Sequence, residues 1–96
     1  MVINYEKSKK LGESFRAINH PLRISMIELI DQAGEVNVAP LCKTLNLKQA
    51  IASRHLSILK NARFVQAHRE GSRIYYSLNY ENFEKFSDTV KQIMSR

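Results

Sequence analysis

The side chains with the most chemical consequence lie between Lys48 and Arg73, where Lys48, Arg54, Lys60, Arg63, Arg69 and Arg73 stand against the single acid Glu70. That stretch carries +5 of the chain's formal net charge of +6. Such a cluster suits a polyanion, because each Lys or Arg set against a phosphate releases a condensed counterion. A solvated basic face would also account for the charge, so charge alone does not choose between the two. Other chemistry is poorly supplied. Cys42 is the only cysteine, which rules out an intrachain disulfide and a cysteine-based zinc site. The three histidines, His20, His55 and His68, fall on separate segments with no ligand spacing among them. No nucleophile and base pair, carboxylate cluster or phosphate-binding glycine loop is evident, so neither an enzyme nor a bound cofactor is expected.

Periodicity indicates the elements that must position the basic segment. Tyr5, Leu11, Phe15 and Ile18 recur at helical spacing and predict a first helix ending before His20-Pro21, since the residue ahead of a proline disfavours helical geometry. Pro21 opens a second helix whose stripe is Leu22, Met26, Leu29 and Ile30, with Gly34 placed to end it. Asn37 is positioned to cap a short third helix through Val38, Leu41, Cys42 and Leu45. A fourth follows at about 49 to 62. The period then drops to two: Val65 and Ala67 alternate with Gln66 and His68, and Ile74, Tyr76 and Leu78 alternate with Tyr75 and Ser77, around a Gly71-Ser72 turn. Asn79 can cap a last helix carrying Phe83, Phe86, Val90 and Ile93 at intervals of three, four and three, a narrow seam suited to another helix.

Two short helices with a tight turn and then a hairpin make a winged helix-turn-helix, in which the second helix of the pair enters the major groove. The expected class is therefore α+β, mostly α, in the order α1-α2-α3-α4-β-hairpin-α5, as one domain over residues 1–96. With Ala52 as the inward direction of the fourth helix, Leu56 and Leu59 lie within about 40° of it, while Ala50, Arg54, Ser57 and Asn61 point outward and Ile51 and Ser53 flank. Arg54 has the chemistry to read guanine or hold a phosphate, Gln49 to pair with adenine and Ile51 to touch a thymine methyl. His55 lies about 60° from the core direction, which favours a packing role over base reading; it is kept as a secondary contact. The candidate DNA contacts are thus Lys48, Gln49, Ile51, Ser53, Arg54, His55, Ser57 and Lys60 on the helix, with Arg69, Ser72 and Arg73 at the hairpin tip. Arg69 and Arg73 suit phosphates or the minor groove, and equally the solubility of a strand edge. Tyr5, Leu11 and Phe15 with Phe83, Phe86, Val90 and Ile93 form the candidate dimer interface.

Composition agrees with one small folded core: 44% apolar and 25% charged residues, three glycines and two prolines. No apolar run reaches the roughly 20 residues of a membrane helix and no signal peptide is seen, so no membrane association and a cytoplasmic location are expected.

The run Asn19-His20-Pro21-Leu22-Arg23, the segment from Leu47 to Leu59 with its Ser53-Arg54-His55-Leu56, and the hairpin Arg69-Glu70-Gly71-Ser72-Arg73-Ile74-Tyr75-Tyr76-Ser77-Leu78 together resemble the ArsR/SmtB family of bacterial repressors over nearly the whole chain. The resemblance implies a homodimer, joined through first and last helices, that represses double-stranded operator DNA and releases it on a signal. Three departures stand out. Lys48 replaces the small N-cap of the recognition helix, and Arg63 the glycine after it. Asn37 and Ala39 occupy the positions of the family's arsenic- and cadmium-type cysteines, and residues 81 to 95 lack the histidine of its zinc-type site. No metal site is therefore expected, and Cys42 reads as inert core; the identity of any inducer is left open. The rival from another class is a winged-helix protein-interaction module, which would more naturally carry apolar residues where this chain carries +5.

Overall fold

The computed structural model describes residues 4–95. Its elements run α1 (Tyr5–Ile18), α2 (Pro21–Ala33), α3 (Val38–Leu45), α4 (Gln49–Asn61), β1 (Val65–Glu70), β2 (Arg73–Leu78) and α5 (Tyr80–Met94), the expected order. Local signals explain most boundaries. Asn4 and Asn79 cap α1 and α5 by accepting from the backbone N–H groups of Lys7 and Asn82, and the His20 ring caps α2 by accepting from Leu22. Gly34, at φ 79°, closes α2 in a conformation that only glycine adopts cheaply. Asn37 departs from expectation. It stands at the N-cap of α3, but its side chain makes no cap bond and its buried Oδ1 has no partner among the described residues.

The core sits between α2, α3, α4 and the hairpin. Met26, Ile30, Leu41, Leu56, Leu59 and Phe64 are its largest fully buried side chains, and Ala52 is sealed with them. The stripe Ala52, Leu56, Leu59 is the face the helical period selected. β1 and β2 pair antiparallel from Val65↔Leu78 to Glu70↔Arg73, with Gly71 at φ 62° in the turn. Val65 and Leu78 are buried, whereas Ile74, near the tip, is exposed. Val36 exchanges two backbone hydrogen bonds with Tyr76, so the α2–α3 connection adds a short rung to the wing and ties it to the helices.

The outer helices contribute little to this core. α1 buries only Ala17 fully and α5 buries no residue fully. α5 is held by Phe83 and Phe86, whose rings lie 4.7 and 5.5 Å from that of Phe64; Phe86 also meets Phe15 edge-on at 5.0 Å. The Tyr80 hydroxyl donates to the Asp31 carboxylate, fixing the start of α5 to α2. Two of the residues expected only at a dimer seam, Phe83 and Phe86, therefore also close the core of their own chain. The result is elongated, 50 × 23 × 21 Å, with a radius of gyration of 14.9 Å. A compact chain of this length would have about 12.5 Å.

Candidate nucleic-acid interface

α3 and α4 are joined by Asn46, Leu47 and Lys48. Asn46 takes the left-handed conformation (φ 54°) that reverses the chain at little cost for an asparagine, and the Leu47 N–H bonds back to the Cys42 carbonyl. The turn delivers Lys48 to the N-cap of α4 with no side-chain cap bond, as its side chain requires, and leaves that side chain exposed at the end of the recognition helix.

The outer face of α4 is open along its length. Lys48, Gln49, Ala50, Arg54, Ser57, Lys60 and Asn61 are exposed, Ser53 is half-buried at the flank, and Ile51 presents an apolar edge at 45% exposure. Gln49 and Ser53 from the helix share one cleft of about 260 Å³ with Ser72, Arg73 and Ile74 from the wing and Asn37 to Ala39 from the start of α3. Four of the eleven candidate contacts, from segments about twenty residues apart, thus line a single depression between recognition helix and wing. Arg54 and Ser57 lie on the open face beside it. Lys60 is about two turns beyond Ser53, and Arg69 faces Ile74 across the hairpin.

His55 lies apart from this group. Its Nδ1 is 3.2 Å from a terminal guanidinium nitrogen of Arg23, and its ring packs at 4.6 Å on that of His20. Partial burial, with His20, Arg23 and Arg54 nearby, lowers its pKa, since each disfavours a second positive charge. The His20–His55 contact was invisible in the sequence, where 34 other residues separate the two. His68, also without an evident partner in the sequence, reaches Glu35 at 3.1 Å and Glu70 at 3.5 Å and stacks on Tyr75. Cys42 is half-buried against the core rather than sealed within it. Among the described residues, no three His, Cys, Asp or Glu side chains converge to hold a metal ion, and no helix is long and apolar enough to cross a membrane.

At the other end of the fold, Tyr5 (72% exposed), Phe15 (47%), Ile93 (44%) and Met94 (77%) are uncovered, and Leu11 and Val90 are half-buried. Met94 was missed in the sequence because its position one past Ile93 breaks the three-four spacing.

A helix pair whose second member presents a small, polar and basic face beside a hairpin wing defines a winged helix-turn-helix transcriptional regulator. The chain belongs to the arsR family of bacterial regulatory proteins, whose signature matches residues 20–67, and that family consists of transcriptional regulators rather than enzymes. It is 37% identical to the transcriptional repressor SdpR of Bacillus subtilis over 72% of its own length and 76% of that protein's. With an uncharacterized HTH-type transcriptional regulator of Methanocaldococcus jannaschii it shares 33% identity over 93% and 92% of the two chains. A solved homodimeric winged helix-turn-helix DNA-binding domain from Mycobacterium bovis superposes with a TM-score of 0.76 at 24% identity, over 95% of this chain and 82% of that one.

Proposed function

We propose that the protein is a homodimeric repressor that holds operator DNA with α4 in the major groove and the wing on the flanking backbone, and that its release does not use the metal sites familiar in this family. The observation that carries the DNA reading is the shared cleft of Gln49, Ser53, Ser72 and Arg73 beside exposed Arg54: one contiguous surface of base-directed and phosphate-directed groups. Within it, Arg54, Gln49 and Ile51 address base edges, Ser53 and Ser57 make close polar contacts, and Lys48, Lys60, Arg69, Ser72 and Arg73 address phosphates. His55 supports the helix from behind. A protein-docking module would leave this face apolar, and here Ile51 is its one large apolar residue beyond the cleft.

Dimerisation is supported by the apolar remainder of α1 and α5. Tyr5, Phe15, Ile93 and Met94 would be left to water in a monomer, along two helices of which only Ala17 is fully buried. A second copy seated there would set two recognition helices at successive major grooves about 34 Å apart. Repression follows the precedent of SdpR, named as a repressor. Against metal sensing stand Asn37 and Ala39 at the positions of the family's cysteines, and an α5 without histidine.

The test is selection of genomic fragments by the purified protein, followed by a salt-titrated shift assay of the winning fragment against random DNA. A preference of a thousandfold or more, on a log-log salt slope of several units, is expected. Equal binding of both DNAs, or none, would refute the reading.

A further inference from the structure

Arg23 is the most heavily bonded side chain in the described chain, and all of its acceptors lie outside its own helix. Its Nε donates to the Ala17 carbonyl at 2.6 Å, one terminal nitrogen to the Arg16 carbonyl at 3.1 Å, and the other faces His55 Nδ1 at 3.2 Å. The two carbonyls need a donor for identifiable reasons. In a continuing helix the Ala17 carbonyl would accept from residue 21, but Pro21 has no N–H. The Arg16 carbonyl would accept from His20, whose N–H turns to Ile18 instead. The guanidinium thus completes the end of α1 with two prongs and reaches the recognition helix with the third.

That third prong dictates the state of His55. A guanidinium only donates, so Nδ1 must be the unprotonated nitrogen and the ring must be neutral with its proton on Nε2. His20 is set likewise, because its Nδ1 accepts the Leu22 N–H. A proton added to His55 would turn an acceptor into a donor aimed at a cation. The charged or titratable groups facing His55 are Arg23 and His20 from the α1–α2 side and Arg54 from α4 itself; among the described residues no carboxylate lies within ion-pair distance of it. Nothing nearby would absorb the added charge.

We infer that Arg23 is a positioning residue of the DNA-binding surface: anchored on the end of α1, it holds the recognition helix through the Nδ1 lone pair of His55, so that operator binding requires neutral His55 and is lost on mild acidification. The direction is diagnostic, because added positive charge should otherwise strengthen the hold on a polyanion. The lowered pKa of His55 agrees with a site built for the neutral ring. The inference rests on the DNA-binding reading for its functional half only; the clamp itself is testable without DNA.

The experiment is a pH titration of the full-length protein from 8 to 5.5, followed through imidazole nitrogen and backbone amide resonances. It is paired with shift assays on the selected operator over the same range at constant ionic strength. The DNA-free protein should show His55 as the Nε2–H tautomer, and the amides of α4 should move together with its titration. Operator affinity should fall at least fivefold between pH 7.5 and 5.5. His55→Asn, whose side-chain oxygen stands near the place of Nδ1 and takes no proton, should abolish that fall whatever its affinity at pH 7.5, while His68→Gln should leave it intact. Arg23→Lys, which cannot span three acceptors, should weaken binding throughout and flatten the profile. An Nδ1–H tautomer, α4 amides indifferent to the titration, or an operator affinity that holds or rises on acidification would each overturn the inference. Moving α4 amides in a protein that binds no DNA at any pH would uphold the clamp and refute the function instead.

Discussion

Replacing Arg63 by glycine should stabilise the protein, although the substitution removes a side chain and adds backbone freedom. Arg63 follows the C-cap of α4 at φ 66°, the left-handed conformation in which Cβ crowds the carbonyl. The turn is firmly bonded: the Arg63 N–H reaches the Lys60 carbonyl at 2.9 Å, and the Phe64 N–H reaches the Leu59 carbonyl at 3.0 Å, so the conformation cannot relax without breaking the end of the recognition helix. Phe64 and Leu59 are both fully buried, which holds the strained residue between two core anchors. The left-handed conformation costs an L-residue about 1–2 kcal/mol. Glycine escapes that cost but loses roughly 0.5–1 kcal/mol more chain entropy on folding. The expected net gain is about 0.5–1 kcal/mol, or roughly 2–8 °C in melting temperature for a domain of this size. Thermal and urea unfolding at one fixed protein concentration provide the measurement, since unfolding of a dimer depends on concentration. Arg63→Ala is the control: it removes the same exposed charge but keeps Cβ, and should gain nothing. Equal stability of parent and glycine variant, or an equal gain from alanine, would refute the strain argument.

Arg54→Ala should weaken specific operator binding by about 1–3 kcal/mol in a shift assay, with relaxed sequence preference if the guanidinium reads a base; parental affinity would remove Arg54 from the interface. Arg69→Ala combined with Arg73→Ala should lower affinity for all sequences alike and flatten the salt slope by about one or two units, and an unchanged slope would place the wing off the DNA. Ile93→Glu should shift sedimentation toward monomer and weaken operator binding with it. Ile93 is a better probe than Phe86, whose contacts with Phe64 and Phe15 would confound the result with unfolding; a dimer indifferent to the charge would move the interface elsewhere. Zinc, cadmium, nickel and arsenite at one or two equivalents per dimer should leave the operator complex intact, and a tenfold loss of affinity with any of them, about 1.4 kcal/mol of coupling, would reveal ligands outside the family pattern.

Much of the architecture was legible along the chain because it depends on near neighbours. The period of 3.6 in the helices, the period of two in the hairpin, the asparagine ahead of α5 and the glycines at 34 and 71 each act within a few residues, and each appears where expected. So did the orientation of α4, because Ala52, Leu56 and Leu59 share one side of a helix whatever it packs against. The +5 segment is likewise a property of the string itself.

What only the tertiary structure decided are relations between residues far apart in the chain, for which local period carries no information. Apolar spacing marked Phe83 and Phe86 as a seam but could not say whose surface they meet; the packing of α5 on Phe64 gives their inner edges to their own core and leaves Tyr5, Phe15, Ile93 and Met94 uncovered. Arg23 entered the sequence reading only as the last member of the Asn19–Arg23 run, and His55 as a partly buried ring. Their pairing across 32 residues depends on how α2 crosses α4, and it makes the proton on a single imidazole nitrogen a structural variable. Sequence determines which groups are able to donate, accept or titrate; the fold determines which of them meet, because hydrogen bonds are decided within a few tenths of an ångström.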